Sequence, residues 1–331
     1  MSDRIRVGMI GVGGIAHGHV QRLLAMPEAE IVALCDTSEA SVARLMEAQP
    51  KVKDLPVYAD YRELLEKEKL DAVQIASPHT AHFPQIMDSL DAGLHVLTEK
   101  PMVCTVAHAH SVLNKAEEAG KVLCISYQRH FHGAFRYMRE RFATGELGSL
   151  TFMAALQGQG WLRGTRGKWR QEPELSGGGQ LNDSGSHLLD IILWVTGLGV
   201  SEVFAFIDNR GAKVDINSAI SVRFENGAEG TFSVVGDSRC PWWEDITFWA
   251  ENGTFFYRNG KLFEQIGDAG PQEVTTLANY SNPDQNFIYA ILGKEEVQVP
   301  PVCGLRVIEL TEAAWRSAEC GAPVSVERSG R

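Results

Sequence analysis

The sequence lacks any apolar run close to the ~20 residues that a membrane-spanning helix needs. It also has no internal repeat and no low-complexity segment. Its first residues lead directly into a strand-like run, a pattern that predicts no signal peptide. Basic residues are few, since 31 Lys and Arg stand against 42 Asp and Glu, for a formal net charge of −11. This balance, with no Lys- or Arg-rich stripe, argues against a membrane or nucleic acid partner.

Cysteines are few as well. The six cysteines form no C-x-x-C pair, and several lie inside apolar, strand-like runs. This pattern predicts reduced thiols in a cytoplasmic protein. Four pairs of closely spaced histidines fall on different predicted elements and lack thiolates at zinc-type spacing, so no metal site is predicted. These pairs are His17/His19, His79/His82, His108/His110 and His130/His132.

Strand-like and helical stretches alternate over residues 1–126. Short apolar runs such as Ile5–Ile10 and Ile31–Cys35 are separated by helical segments, two of which end at Gly93 and Gly120. This alternation is typical of a parallel sheet covered by helices on both faces. The chain's 331 residues suit two domains rather than one core. We therefore predict a Rossmann-like parallel-sheet domain at residues 1–126 and a second domain at 127–331.

A glycine motif follows the first strand. The segment Gly11-Val12-Gly13-Gly14-Ile15-Ala16 opens a helix and matches the G-x-G-x-x-A variant of the dinucleotide-binding fingerprint. Gly11 permits a tight turn, Gly13 lets the backbone approach a pyrophosphate, and the helix N-terminus supplies amide groups. Asp36 closes the second strand, where it is placed to accept hydrogen bonds from ribose hydroxyls. No arginine follows it closely, which favours NAD over NADP.

The second half of the sequence has a different pattern. Strand-like runs from Gly148–Gln157 to Gly253–Tyr257 are joined by turns such as Asn226-Gly227 and Asn252-Gly253, and Asn-Gly pairs are strong hairpin signals. A helix is predicted over Leu181–Thr196. The pattern predicts an α+β domain with a large, mainly antiparallel open sheet.

Two polar motifs stand out from this background. Glu99-Lys100-Pro101 follows an apolar run, and three glycines precede the predicted helix that contains Asp183, His187 and Asp190. Spacings of four and three residues would place these three side chains on one helical face. The rest of that helix is apolar, so a carboxylate and an imidazole on it need partners. A Lys, an Asp and a His at one site make a proton-transfer apparatus.

These motifs together resemble the glucose–fructose oxidoreductase/inositol dehydrogenase (Gfo/Idh/MocA) family over almost the whole chain. The resemblance rests on the N-terminal glycine motif, the Ser77-Pro78-His79 turn, the lead into Glu99-Lys100-Pro101 and the Gly177–Asp190 block. It implies hydride transfer between a nicotinamide and a hydroxyl of a sugar, polyol or related compound. It also implies a second-domain sheet that packs against another subunit, in a homodimer or homotetramer.

The resemblance places the family's catalytic residues on Lys100, Asp183 and His187. An imidazole titrates near neutrality, so His187 is the natural base; Lys100 would stabilise the developing alkoxide and Asp183 would orient the substrate or the imidazole. The predicted cofactor-binding residues are Gly11, Gly13, Gly14, Ile15, Asp36, Ser77, Pro78, His79, His82, Glu99, Lys100 and Gln128. The predicted substrate-binding residues are Lys100, Arg129, Trp161, Trp169, Arg170, Asp183 and His187.

Three functions remain open from the sequence. The first is an NAD-dependent dehydrogenase that acts on a carbohydrate or cyclitol hydroxyl. The second is a glycoside-cleaving enzyme that recycles NAD through transient oxidation, elimination, water addition and re-reduction. The third is a non-catalytic sensor of NAD and sugar. For the tryptophan-rich segment that contains Trp161 and Trp169, a loop packed by its own side chains explains the pattern equally well.

Overall fold

The computed structural model describes residues 4–327, which form two compact units. The first unit comprises the chain up to Val103, Ala107–Gln128 and Ser281–Gly304, and the second comprises Cys104–Val106, Arg129–Tyr280 and the chain from Leu305. The first unit is therefore discontinuous, because it includes a late segment that the sequence-based boundary assigned to the second domain. The extreme ends of the two predicted domains lie outside the described residues.

The secondary structure is numbered here in chain order. The strands are β1 (Ile5–Ile10), β2 (Ala29–Cys35), β3 (Val57–Tyr58), β4 (Ala72–Ile75), β5 (His95–Thr98), β6 (Leu123–Ile125), β7 (Leu150–Gln159), β8 (Val200–Asp208), β9 (Asn217–Phe224), β10 (Glu229–Val235), β11 (Trp242–Ala250), β12 (Gly253–Arg258), β13 (Lys261–Ile266), β14 (Gln272–Glu273) and β15 (Val324–Ser325). The helices are α1 (Ala16–Leu24), α2 (Glu39–Ala48), α3 (Tyr61–Lys67), α4 (His79–Asp91), α5 (Val106–Ala119), α6 (Gly133–Ala143), α7 (Trp161–Gly164), α8 (Pro173–Ser176), α9 (Gly185–Thr196), α10 (Pro283–Ile291) and α11 (Pro301–Cys320).

The first unit is built on a six-stranded parallel sheet with the order β3-β2-β1-β4-β5-β6. Apart from the edge strand β3, its strands are short and almost entirely buried, as expected for a parallel sheet covered on both faces. Phe287 and Ile288 of α10 are buried in the same hydrophobic cluster as Val7 and Val20. This packing explains why the segment Ser281–Gly304 belongs to the first unit. The predicted Rossmann architecture is confirmed.

The second unit is built on a nine-stranded sheet with the order β14-β13-β12-β11-β7-β10-β9-β8-β15. Every neighbouring pair in it is antiparallel except β7 and β10, which run parallel. Burial alternates strictly along β9, so one face of the sheet is packed and the other is open. The packed face buries large aromatic side chains, including Phe224, Phe232 and Phe248. The predicted open, mainly antiparallel sheet is confirmed.

Local sequence signals set several of the observed element ends. Ser38 caps α2 through a hydrogen bond from Ser41 N to its Oγ, at 3.3 Å. The hairpin between β9 and β10 turns at Asn226-Gly227, as predicted. A third Asn-Gly pair, Asn259-Gly260, joins β12 to β13 with φ angles of 45° and 100°. This pair was not used as a hairpin signal, so β13 was not predicted from the sequence.

The predicted start of the helix around His187 is wrong. It was placed at Leu181, but α9 begins at Gly185, and the residues from Gln180 to Ser184 form turns. The N–H of Gly185 donates to the carbonyl of Gln180 at 2.8 Å, and the N–H of Asp183 donates to Gly179 at 2.9 Å. Asp183 therefore lies in the turn before the helix, not on its face. Within residues 4–327, no helix is long and apolar enough to cross a membrane.

Candidate active site

The glycine loop after β1 is closely fitted to the chain around it. Gly11 has a φ of +84°, and a Cβ added there would lie 2.5 Å from Ser77 N. Such a contact is shorter than real Cβ atoms make, so this position requires glycine. Added Cβ atoms at Gly13 and Gly14 would meet no atom within 4 Å. The backbone of these two glycines thus faces open space, which a pyrophosphate needs for close approach.

The N-terminus of α1 fits an anionic group. Ile15 occupies the N-cap position, where it supplies no side-chain hydrogen bond, and no acidic residue lies in the first turn. Ala16 N and Gly18 N already donate to the carbonyls of Gly13 and Ile15, so a phosphate would meet the positive dipole end of the helix and the remaining amides of this turn. The glycine loop and this helix terminus together are the parts that would hold the pyrophosphate of NAD.

Asp36 is held in place by the same loop. Its Oδ2 accepts a hydrogen bond from Val12 N and its Oδ1 accepts one from Ser38 N, each at 2.8 Å. Each carboxylate oxygen can accept a further hydrogen bond, so ribose hydroxyls can still bind. The next arginine along the chain, Arg44, donates to Ser41 Oγ at 3.0 Å. Asp36 is thus a fixed acceptor at the end of β2, where the sequence predicted it.

The structure corrects the role predicted for His82. The side chain of His82 is fully buried, with Nδ1 2.8 Å from the carbonyl oxygen of Pro101 and Nε2 3.0 Å from that of Ser77. Burial lowers the pKa of His82, and the two carbonyl contacts oppose this shift. Its polar atoms therefore join the Ser77 and Pro101 turns rather than face a cofactor. His79, at the start of α4, is also buried.

The Glu99-Lys100-Pro101 turn follows the end of β5. Glu99 is 8% exposed, its Oε1 lies 2.9 Å from His19 Nε2, and its Oε2 accepts from Lys100 N at 3.2 Å. Lys100 is half-buried. All the predicted cofactor residues, including the exposed Gln128, lie in the first unit.

Two side-chain donors hold Asp183, the first acidic residue of the second predicted motif. It is 5% exposed, and its Oδ2 accepts hydrogen bonds from Trp161 Nε1 at 2.8 Å and Arg170 Nε at 2.9 Å. The Arg170 guanidinium in turn lies 4.4 Å from the ring centroid of Trp169. The tryptophan-rich segment is therefore not packed only on itself, because it positions this carboxylate.

The other members of the predicted set separate from Asp183. Asp190 is fully buried in α9, where its Oδ2 lies 2.8 Å from His130 Nε2, so it does not share a face with Asp183 as predicted. Burial raises the pKa of Asp190, and His130 opposes this shift. His187 lies in the first turn of α9 and is half-buried. Arg129 forms a salt bridge with the buried Glu244.

Two family models cover most of the chain. Residues 5–127 match an oxidoreductase family with an NAD-binding Rossmann fold, and residues 135–256 match the GFO/IDH/MocA C-terminal domain. The chain belongs to the GFO/IDH/MocA oxidoreductase family. The resemblance inferred from the sequence motifs is thereby confirmed, as is NAD as the cofactor.

The individual relatives match only part of this chain. It is 32% identical over 202 residues to an Escherichia coli D-glucoside 3-dehydrogenase, a match that covers 59% of this chain and 55% of that enzyme. It is 35% identical over 123 residues to a Shewanella oneidensis α-N-acetylgalactosaminidase, a match that covers 35% of this chain and 27% of that protein. The chain thus spans about half of the length of the first relative and about a quarter of the length of the second.

The fold extends to solved structures of the family. The WlbA dehydrogenase of Bordetella pertussis, solved with NADH and UDP-GlcNAcA, has a TM-score of 0.84 and is 22% identical. The similarity covers 98% of this chain and 100% of WlbA. At this level of identity the comparison shows a shared fold.

Asp215 fixes the loop before α9, a role that no signal in the sequence indicated. Asp215, a buried residue, accepts hydrogen bonds from Gly179 N at 2.9 Å, Leu181 N at 2.7 Å and Trp315 Nε1 at 3.2 Å. Burial raises the pKa of Asp215, while these donors oppose the shift. A Cβ at Gly179 would lie 2.0 Å from the carbonyl oxygen of Asp215. The second glycine-rich segment is therefore a loop that packs closely against the backbone of Asp215 and donates two amide hydrogen bonds to its carboxylate.

A second cluster of polar side chains that was not predicted from the sequence lies in the first unit. His19 was considered only as a metal ligand, yet it contacts Glu99 and Asp284. No local signal marks these contacts, because Asp284 is 265 positions from His19 along the chain.

Proposed function

We propose that this protein is an NAD-dependent dehydrogenase that transfers hydride between the nicotinamide and a secondary hydroxyl or ketone of a sugar, cyclitol or glycoside. The observation that carries the proposal is the environment of Asp183. Its nearly buried carboxylate is fixed by two donors from the tryptophan-rich segment, close in sequence to the half-buried His187. A dehydrogenase needs groups of these two types for proton transfer during hydride transfer to NAD.

In this proposal, His187 accepts the hydroxyl proton as the alcohol is oxidised. Lys100 donates a hydrogen bond to the same oxygen and stabilises the negative charge that develops on it. Asp183 orients the substrate or the imidazole, and its own orientation depends on Trp161 and Arg170. NAD, when bound, supplies the hydride acceptor. The similarity to a D-glucoside 3-dehydrogenase supports a carbohydrate substrate.

The test is steady-state kinetics against a panel of sugars, inositols and glycosides. Lys100→Ala and His187→Ala should each reduce kcat by about 10²- to 10⁴-fold, the range for loss of a proton-transfer or oxyanion-stabilising group. NAD affinity should change little. Because both groups act on one oxygen, the double variant should be much less than multiplicatively worse. His110→Gln, on α5, is a matched control that should keep wild-type rates. Near-normal kcat in both single variants would contradict the roles given to Lys100 and His187, whereas no turnover of any compound on the panel by the unmodified protein would favour the sensor.

A glycoside-cleaving reaction with NAD recycling is the second candidate. The similarity to an α-N-acetylgalactosaminidase over 123 residues favours it. The two reactions differ in their products. A dehydrogenase accumulates NADH in proportion to turnover, whereas the recycling reaction releases the aglycone without net NADH. Incubation with a nitrophenyl glycoside and NAD, monitored at two wavelengths, separates them.

We also propose that the open face of the nine-stranded sheet packs against a second copy of the chain. Phe206 is 69% exposed there. On the same sheet, the rings of Phe152 and Trp249 pack against each other with their centroids 5.7 Å apart. Clustered exposed aromatic residues of this kind commonly mark an interface. Light scattering should give at least twice the 36.4 kDa chain mass. Phe206→Asp should lower that mass, and a monomer for the unmodified protein would contradict the proposal.

A cytoplasmic location is a further prediction, which rests on the cysteine pattern alone.

A further inference from the structure

A buried histidine lies between two carboxylates in the first unit. His19, on α1, is 0% exposed. Its Nε2 lies 2.9 Å from Glu99 Oε1, after β5, and its Nδ1 lies 2.7 Å from Asp284 Oδ1, in the first turn of α10. Three elements that are far apart in sequence thus meet at one imidazole ring.

Two carboxylates decide the charge of this ring, unlike that of the buried His82, whose two nitrogens face uncharged carbonyls and whose pKa is lowered. An ionised carboxylate can only accept, and a neutral imidazole has a single N–H to donate. With an acceptor at each nitrogen, the ring satisfies both carboxylates only when both of its nitrogens carry protons. A neutral ring would leave a lone pair facing a carboxylate at a distance of 2.7 or 2.9 Å.

The charged side chain of Arg22 also faces this ring. Arg22 Nε donates to Asp284 Oδ2 at 2.5 Å, and its Nη2 lies 3.3 Å from His19 Nδ1, where its positive charge disfavours an imidazolium. Asp284 lies against both cations, and Glu99 adds a second negative charge. Burial works to lower the pKa of His19, but Asp284 and Glu99 outweigh it and raise the pKa to about 9.

We propose that His19 is a positioning residue, whose imidazolium holds the Glu99 carboxylate ionised and in one orientation beside Lys100. Glu99 Oε1 is fixed by His19, and its Oε2 accepts from the backbone N–H of Lys100 at 3.2 Å. These two contacts fix the Glu99 side chain, whether or not a cofactor is bound. Asp284 in turn fixes His19 from the opposite side. The part of this inference that concerns nicotinamide binding rests on the proposed function.

The charge of His19 can be tested without activity. In ¹⁵N-edited NMR spectra of the full chain, one of the 10 histidines should remain doubly protonated at pH 7.5 to 8, well above the ordinary pKa of about 6.5. His19→Gln should remove that signal. Glu99→Gln and Asp284→Asn should each lower its pKa by about one unit or more, since each removes an adjacent opposite charge. A spectrum in which every histidine is neutral at pH 8 would overturn the proposal.

The positioning role has its own measurement, which is NADH affinity by fluorescence titration. His19→Gln should weaken NADH binding about tenfold, or about 1.4 kcal/mol, and His19→Lys, which keeps the positive charge, should recover part of the loss. His110→Gln is the matched control. If His19→Gln fails to fold, Asp284→Asn tests the same link with the ring intact.

Unchanged NADH affinity in folded His19→Gln and Asp284→Asn would refute the positioning role. Loss of NADH affinity in a protein that turns over no sugar, polyol or glycoside would support the role of His19 and count against the proposed function.

Discussion

Replacement of Asp215 by alanine should destabilise the second unit and disable its loop. The Asp215 carboxylate accepts from two backbone amides and one indole, and all three donors lie close to it at 2.7 to 3.2 Å. A buried donor left without its acceptor costs about 1–3 kcal/mol. Three such donors would cost about 3–9 kcal/mol if all stayed dry.

The measured loss should be smaller than that sum. Removal of the carboxylate also removes the cost of burying a charge, which is the cause of its raised pKa. Water can also enter the vacated space next to polar groups. We therefore expect a loss of about 3 kcal/mol in the free energy of unfolding. Asp215→Asn should also destabilise, because its NH₂ group would face one of the two amide N–H donors.

Urea denaturation is the assay for stability, and Asp208→Ala is the matched control. The side chain of Asp208, on strand β8, is 59% exposed and accepts from Arg210 N at 2.7 Å and Arg210 Nη1 at 3.3 Å, both solvent-exposed contacts, so its loss should cost at most about 1 kcal/mol. The Asp215 variants should lower kcat more than NADH affinity, because the loop they release carries Asp183. A stability for Asp215→Ala within about 0.5 kcal/mol of the wild type would refute the reasoning.

Three further predictions concern the first unit. Gly11→Ala should abolish NAD binding and lower stability, since its Cβ would lie 2.5 Å from Ser77 N. Gly13→Ala should lose only NAD affinity in titration and keep its stability, because the added Cβ would meet no protein atom within 4 Å. Asp36→Ser should erode a preference for NAD over NADP of about tenfold, and tighter NADP binding by the unmodified protein would contradict this. The raised pKa of His19 means that its contribution to stability is complete below about pH 6.5 and is lost as the pH rises through about 9. Urea denaturation across that range should show the loss in the wild type but not in His19→Gln.

Sequence alone determined the features that depend on local order along the chain. The alternation of short apolar runs with amphipathic helices predicted the parallel sheet, and the strand that precedes Gly11-Val12-Gly13-Gly14 identified the dinucleotide loop. Hairpins could be located because an Asn-Gly pair imposes its turn within a few residues. The same rule would have located β13 from Asn259-Gly260.

The candidate site was predicted residue by residue but not in its geometry. Sequence spacing placed Asp183, His187 and Asp190 on one helix, yet α9 begins after Asp183. In the folded chain the N–H of Gly185 donates to the carbonyl of Gln180 rather than to that of Leu181, and Asp215, 34 and 36 positions away, accepts from the amides of Leu181 and Gly179. Helical periodicity carries no information about such a distant acceptor.

Only the tertiary structure decided which polar groups pair. Asp183 is oriented by Trp161 and Arg170, and the charge of His19 is set by Glu99 and Asp284. Apolar burial is non-directional, so its pattern survives in the sequence as periodicity. Hydrogen bonds and ion pairs depend instead on short distances and defined directions. Those distances exist only after the chain has folded, because folding brings together residues that are up to 265 positions apart.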